Sequence, residues 1–255
     1  STLYFYDLRQ GAEIPFKIWA TMPENTSPQK LGIVAEATFD ARIMMDTLRI
    51  KAFEKGHTVI SEEYWVPQTT DYGGIIDNLQ TSGVDSLFIM GTTGDCIKLI
   101  GQIRARNLPL KYIYCWRGAW SARFWDELRD DSQYLFFDGH WSDDYPYEMA
   151  ALLGKRYQAE FADKSVSVGT FYAMAQILFQ AIEKAGSLDA QKIRNSVIQG
   201  KFDTVMGPVQ YNDTGVAYYE STAFQWVDGQ PRLVYPFNLA TDKPAFSRAE
   251  NHEEE

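Results

Sequence analysis

The sequence contains few of the residues that bind metals or form disulfide frameworks. It has two cysteines, Cys96 and Cys115, and three histidines that lie far apart and match no metal-binding spacing. A metal site, a Cys–His catalytic pair and a cofactor are therefore not expected. Two cysteines allow at most one disulfide. Their positions near neighbouring strand ends leave such a bond geometrically open, but two separate buried thiols are the favoured interpretation.

Long apolar runs and basic runs are also missing. No apolar segment approaches the roughly 20 residues that a membrane-spanning helix needs. The first residues lack the charged-then-apolar order of a secretory signal peptide. The formal net charge is −10 without a basic cluster, so nucleic acid is not an expected partner. These features fit a mature, processed or truncated soluble protein.

Sequence signatures of enzymes are absent as well. The Gly-x-Gly-x-x-Gly fingerprint does not occur, and no lysine follows Gly91-Thr92-Thr93-Gly94 at the Walker A spacing. Two acidic pairs, Glu62-Glu63 and Asp143-Asp144, are interpreted as a solvated strand end or turn because the whole chain is acidic. We therefore predict that the protein is not an enzyme.

What is present is a regular alternation of strand and helix patterns from Leu31 to Asp138. Short apolar runs predict five strands, and amphipathic patterns with a period of 3.6 residues predict the helices between them. The strand patterns are 31–35, 57–60, 86–90, 111–115 and 134–137. This alternation predicts an α/β fold, a doubly wound parallel sheet flanked by helices, with the chemistry at the carboxyl edge of the sheet.

The pattern changes after Asp138. Three helices are predicted over 145–161, 166–185 and 189–199, and the middle one is apolar on nearly every side, so it must bury more than one face. Strand patterns follow at 207–211, 223–227 and 232–235, the last two joined by an Asp228-Gly229 hairpin turn. The charged residues 251–255 are predicted to be a solvated tail.

Five short segments occur in an order that is more specific than any one of them. They are Leu31–Val34, Val66–Tyr72, Gly83–Phe88, Ala181–Ser187 and Phe202–Tyr211. Together they cover most of 31–236 and resemble periplasmic solute-binding proteins of the branched-chain amino-acid ABC transporter type. The resemblance implies a type I periplasmic-binding fold, in which two α/β lobes close on a small solute and deliver it to an ABC transporter permease without covalent chemistry.

The resemblance also implies a domain organisation and a periplasmic location. It assigns 30–142 to the second α/β lobe, 1–29 and 143–215 to a remnant of the first lobe, and 216–255 to the closing strands and the tail. Relatives carry a first lobe of about a hundred residues before the segment that begins here at Leu31. Phe16–Pro23 resembles the last strand of that lobe. A reduced first lobe would expose the apolar helix at 166–185, which predicts self-association.

Six ligand-binding residues are expected at the carboxyl edge. Where amino-acid-binding relatives have an acid that receives an ammonium group, this chain has Arg117, whose planar fork suits a carboxylate. A helix is expected to begin near Asp95, which is its predicted cap. Thr92 and Thr93 precede this helix, and their hydroxyls and the free backbone amides there favour an anionic or polar group. The expected aromatic wall consists of Phe39, Trp116 and Trp141, with Trp120 near them. Ordinary structural roles remain alternatives for each residue.

Two functions follow from these expectations. The first is an extracytoplasmic receptor that captures a small organic acid, such as an aromatic or hydrophobic carboxylate, or an amino-acid-like solute for ABC transporter uptake. The second is a ligand-sensing domain of the same fold that controls a regulator or a signalling partner.

Overall fold

The computed structural model describes residues 8–23, 27–212, 215–217 and 220–246. These residues form two compact units. We call Gly139–Thr222 the helical unit, and Leu8–Asp138 together with the chain from Ala223 onward the sheet unit. Within the described ranges, no helix is both long enough and apolar enough to cross a membrane. The predicted tail at 251–255 lies outside the described residues.

The sheet unit begins with one helix and then alternates strands with helices. Its first elements are α1 Leu8–Trp19, β1 Leu31–Glu36, α2 Phe39–Glu54, β2 Val59–Trp65, α3 Gly73–Ser82, β3 Ser86–Met90, α4 Thr93–Ala105, β4 Tyr112–Trp116, α5 Ala122–Leu128 and β5 Phe136–Gly139. Every residue of β1, β3, β4 and β5 is buried. This burial explains why these strands appear in the sequence as nearly continuous apolar runs.

The helical unit contains three helices and a small hairpin. These elements are α6 Ala150–Phe161, α7 Val168–Ala185, α8 Ala190–Gln199, β6 Lys201–Thr204 and β7 Gly207–Gln210. The chain then returns to the sheet unit as β8 Thr222–Val227 and β9 Gln230–Tyr235. The sheet order is β2-β1-β3-β4-β5-β8-β9, and its first four neighbouring pairs are parallel. The predicted doubly wound α/β lobe with five parallel strands is therefore confirmed.

The strand predicted at Phe16–Pro23 is wrong, because the first half of this segment belongs to α1 and the second half forms no strand. Phe16 and Trp19 both pack against Phe88 of β3, with ring centroids 5.3 and 6.2 Å away. Residues three apart share one face of a helix but point to opposite faces of a strand. The Tyr112 hydroxyl also donates a hydrogen bond of 2.9 Å to the Pro15 carbonyl. Consequently α1 is part of the sheet unit, whereas the prediction had grouped 1–29 with 143–215.

One face of α7 provides the core of the helical unit. Ile177 and Ala181 pack against Phe202 of β6 and Val209 of β7. The other side carries large apolar side chains that are exposed, namely Phe171, Tyr172, Leu178 and Phe179. We call these four residues the α7 stripe. Among the described residues, α7 therefore buries one face, whereas its composition had predicted that more than one would be covered.

Candidate functional site

The carboxyl ends of the parallel strands define one edge of the sheet unit. Because β1 has β2 on one side and β3 on the other, successive connections leave β1 and β3 in opposite directions. In open α/β sheets, ligands bind outside the strand ends at such a switch point. The segments that follow β1 and β3 contain Phe39, Thr92 and Thr93, three of the six predicted site residues. Trp116 and Arg117 lie at the end of the adjacent strand, β4.

The backbone of Arg117 is held in an uncommon conformation. Its φ angle is +58°, in the left-handed region that few non-glycine residues adopt. Its N–H donates a 2.8 Å hydrogen bond to Oδ1 of Asp138, and Nε1 of Trp120 donates a 2.7 Å bond to the same oxygen. One buried carboxylate at the end of β5 thus positions the loop that carries Arg117.

The guanidinium of Arg117 contacts two further carboxylates. Nη1 lies 2.6 Å from Oδ2 of Asp40, and Nη2 lies 3.6 Å from Oε2 of Glu36. The Arg117 side chain is 37% exposed, that of Asp40 55%, and that of Glu36 only 7%. Glu36 is the last residue of β1, and Asp40 lies in the first turn of α2. Arg117 is therefore an ionic centre with a buried partner and a solvent-facing partner.

Thr92, not Asp95, caps the N-terminus of α4. Thr92 has an extended backbone, and its hydroxyl accepts a 3.4 Å hydrogen bond from the Asp95 N–H. The predicted cap was wrong because the helix begins at Thr93, which places Asp95 inside the first turn. The buried Asp95 carboxylate instead accepts a 3.3 Å bond from the Gln68 N–H. Thr92 is exposed and Thr93 is half-buried at this edge.

The predicted aromatic residues have different environments. Phe39 begins α2 beside Asp40 and is 81% exposed. Trp116 is buried, with its ring 4.5 Å from Tyr114 and 5.6 Å from Phe88. Phe39 thus offers an exposed apolar surface next to the ionic centre, whereas the Trp116 ring is buried in the core.

Trp141 belongs to the helical unit. It is buried, and its Nε1 donates a 3.0 Å hydrogen bond to the Val205 carbonyl. Gly169 of α7 packs so closely that an added Cβ would lie 2.1 Å from Cγ of the indole. These contacts give Trp141 a structural role within its unit, and its place in a ligand wall stays a prediction.

Two buried indole N–H groups at the carboxyl edge have no hydrogen-bond partner among the described residues. They belong to Trp65, which ends β2, and to Trp116, which ends β4. An unpaired buried donor costs about 1–3 kcal/mol, so such groups are uncommon. Both residues end a strand at the carboxyl edge of the sheet, but both N–H groups are buried.

Sequence reasoning missed Glu36, Asp40, Trp65 and Asp138. Glu36 and Asp138 did carry a signal, because each places a carboxylate at the end of an otherwise apolar strand run. Charged residues are rarely buried unless they are paired, so such a position indicates a partner. No comparable signal marked Asp40, which looks like an ordinary acid in the first turn of a helix.

Both cysteines are buried free thiols, as predicted. Burial, together with a hydrogen bond between the Cys115 and Cys96 side chains, raises the pKa of Cys115 well above its usual range. A thiol with a raised pKa is a poor nucleophile and a poor metal ligand at neutral pH. In the described part of the chain, no group of three or more His, Cys, Asp or Glu side chains is arranged to hold a metal ion.

The parallel sheet and its strand order match a type I periplasmic-binding fold. The chain belongs to the periplasmic binding protein family, whose family model matches residues 21–231. A leucine-binding protein from Thermotoga maritima is 18% identical, with a TM-score of 0.77 over 90% of this chain and 65% of that chain.

Two solved structures with bound ligands are also similar. One is a branched-chain amino acid transporter substrate-binding protein from Streptococcus pneumoniae with isoleucine, 15% identical, with a TM-score of 0.69 over 89% of this chain and 64% of that chain. The other is an ABC transporter solute-binding protein from R. palustris with benzoate, 11% identical, with a TM-score of 0.73 over 89% of this chain and 61% of that chain. This chain thus spans less than two thirds of their length, and the likeness concerns the fold.

Proposed function

We propose that this protein is an extracytoplasmic receptor that captures a small organic acid for uptake by an ABC transporter permease. The observation that carries the proposal is the Arg117 guanidinium at the carboxyl end of β4, with a solvent-facing side beside Asp40. Guanidinium groups bind carboxylates through two parallel N–H donors, a geometry that few other side chains provide.

The surroundings of Arg117 support an aromatic or hydrophobic carboxylate. The exposed ring of Phe39 offers an apolar surface one residue from Asp40, and Trp116, the residue before Arg117, has a buried N–H group without a partner among the described residues. A few oriented polar groups beside an apolar wall are typical of small-molecule sites. Benzoate and isoleucine, the ligands of two structurally similar proteins, both carry a carboxylate.

The acidic groups around Arg117 favour a second solute class, amino-acid-like molecules. Glu36 and Asp40 contact the Arg117 guanidinium, and Asp138 accepts a hydrogen bond from the Arg117 backbone N–H. A solute with an ammonium group as well as a carboxylate would find a donor for its carboxylate in Arg117 and acceptors for its ammonium group in the neighbouring carboxylates. The proposal therefore includes amino acids in addition to simple organic acids.

A thermal-shift panel tests the proposed function. We expect benzoate, aliphatic acids or amino acids to raise the melting temperature, and the corresponding amides, which lack the carboxylate, to leave it unchanged. At about 100 times its dissociation constant, a ligand adds roughly 2.7 kcal/mol of apparent stability. Equal stabilisation by an acid and its amide would contradict a carboxylate site, and mass spectrometry of the recovered acids should show no turnover.

Self-association through the α7 stripe is a further part of the proposal. Phe171, Tyr172, Leu178 and Phe179 recur at helical spacing, and none of them is charged. A second copy of the chain can therefore pack the same stripe against this one without burying a charge, in a two-fold arrangement. Exposed contiguous apolar surface of this kind is unusual on a monomer.

The self-association has a direct test in light scattering. We expect the apparent mass to rise with concentration in the wild type and to stay monomeric in Phe179→Glu, because the introduced carboxylate would be buried between copies. Phe53→Glu is the matched control, since Phe53 is also exposed but lies on α2 of the sheet unit. A wild type that remains monomeric at high concentration would refute this part of the proposal.

A further inference from the structure

The two carboxylates that contact the Arg117 guanidinium differ in the free-energy cost of breaking that contact. Glu36 is 7% exposed, so without Arg117 it would be a buried carboxylate with its charge uncompensated. Asp40 is 55% exposed and would be rehydrated if its contact with Arg117 broke. Ion pairs with this degree of exposure contribute little net stability. Arg117 therefore has a fixed inner partner and an exchangeable outer partner.

Asp40 presents to Arg117 the same functional group as the proposed solute. Its carboxylate oxygen Oδ2 lies 2.6 Å from Nη1, the short distance of a charge-assisted hydrogen bond. This contact occupies the guanidinium from its solvent-facing side. A solute carboxylate that approaches from that side must displace Asp40 or share the guanidinium with it.

We propose that Asp40 is an internal competitor for the solute carboxylate and a specificity-determining residue of the site; this inference rests on the proposed function. A simple acid must displace Asp40, and it offers the displaced Asp40 carboxylate no new positive partner. A zwitterionic solute such as an amino acid brings an ammonium group that can pair with the displaced Asp40. Competition from Asp40 thus penalises simple acids more than amino acids.

Two other features of the position agree with this role. Asp40 lies in the first turn of α2, where the helix dipole favours a negative charge whether or not Arg117 is in contact. The displaced carboxylate therefore keeps a favourable environment. The neighbouring Phe39 lies at the same end of the helix, so an aromatic acid that reaches Arg117 would also contact the residue next to the competitor.

Calorimetry with benzoate and isoleucine on the wild type and on Asp40→Asn tests the inference. The amide keeps the shape of the side chain but removes its negative charge. We expect Asp40→Asn to bind benzoate at least fivefold more tightly, and the ratio of isoleucine affinity to benzoate affinity to fall. Asp46→Asn is the matched control, because Asp46 lies on the same helix and pairs with Arg49 at 2.7 Å, an exposed contact. We expect it to change neither affinity.

The outcomes separate the inference from the proposed function. Benzoate binding by Asp40→Asn but not by the wild type would support both. Wild-type binding of benzoate that is unchanged or weaker in folded Asp40→Asn would overturn the inference and leave the function standing. If neither protein binds either probe, both are overturned. Melting temperatures of all variants establish that each is folded.

Discussion

Replacing Trp141 with alanine is expected to destabilise the helical unit by about 3–5 kcal/mol. The indole is buried against Gly169, where an added Cβ would lie 2.1 Å from its Cγ, so its removal leaves a large cavity in a close-packed helix contact. The loss of its hydrogen bond also leaves the Val205 carbonyl without this donor. Trp141→Phe should lose less, because it keeps part of the packing.

Urea unfolding followed by far-UV circular dichroism measures this effect. Leu188→Ala provides the matched control, since Leu188 belongs to the same unit but is exposed, and its truncation should cost less than about 1 kcal/mol. A small stability loss in Trp141→Ala combined with a large loss of acid binding would give the opposite assignment. Trp141 would then belong to the ligand wall instead of the core.

Replacing Arg117 with alanine is expected to weaken carboxylate binding by well over tenfold. The guanidinium is the positive group at the proposed site, and truncating one partner of a desolvated charge pair costs roughly 2–5 kcal/mol of binding free energy. The substitution also leaves the buried Glu36 carboxylate without its cation, so a lower melting temperature is expected in addition. Binding must therefore be measured well below that temperature.

Two variants distinguish binding from stability in this experiment. Arg117→Lys keeps the charge near Glu36 but removes the planar fork, so it should restore stability more than affinity. Arg49→Ala removes an exposed arginine that pairs with Asp46 and should change neither quantity. Unchanged acid affinity in folded Arg117→Ala would remove Arg117 from the site and leave only the family-level assignment.

Most elements of the sheet unit could be predicted because its strands are buried on both faces. A buried parallel strand has no polar face, so β1, β3 and β4 appear as short apolar runs separated by amphipathic helices. For α1 the resemblance gave a wrong expectation. It implied a strand at Phe16–Pro23, but Phe16 and Trp19 pack on the same side against Phe88, as residues three apart do in a helix.

For the site, the sequence alone was sufficient to locate the loops. Segments that follow parallel strands must meet at one edge, so the strand pattern predicted that these loops would lie together. The choice of Phe39, Thr92, Thr93 and Arg117 within the loops came from the family resemblance. The preference of Arg117 for a carboxylate stays a prediction that rests on the chemistry of the guanidinium. The meeting of the loops at one edge is predictable because it depends only on the direction of each strand and on the residues next to it.

Only the tertiary structure decided which groups neutralise Arg117. Asp40, its solvent-facing partner, is 77 positions away in the sequence at the start of α2, and Glu36 lies at the end of β1. The two become neighbours of Arg117 because the strand order places β1 and β4 on either side of β3. Ionic contacts depend on distances of a few ångströms between side chains, and those distances exist only once the sheet has brought separate strand ends together.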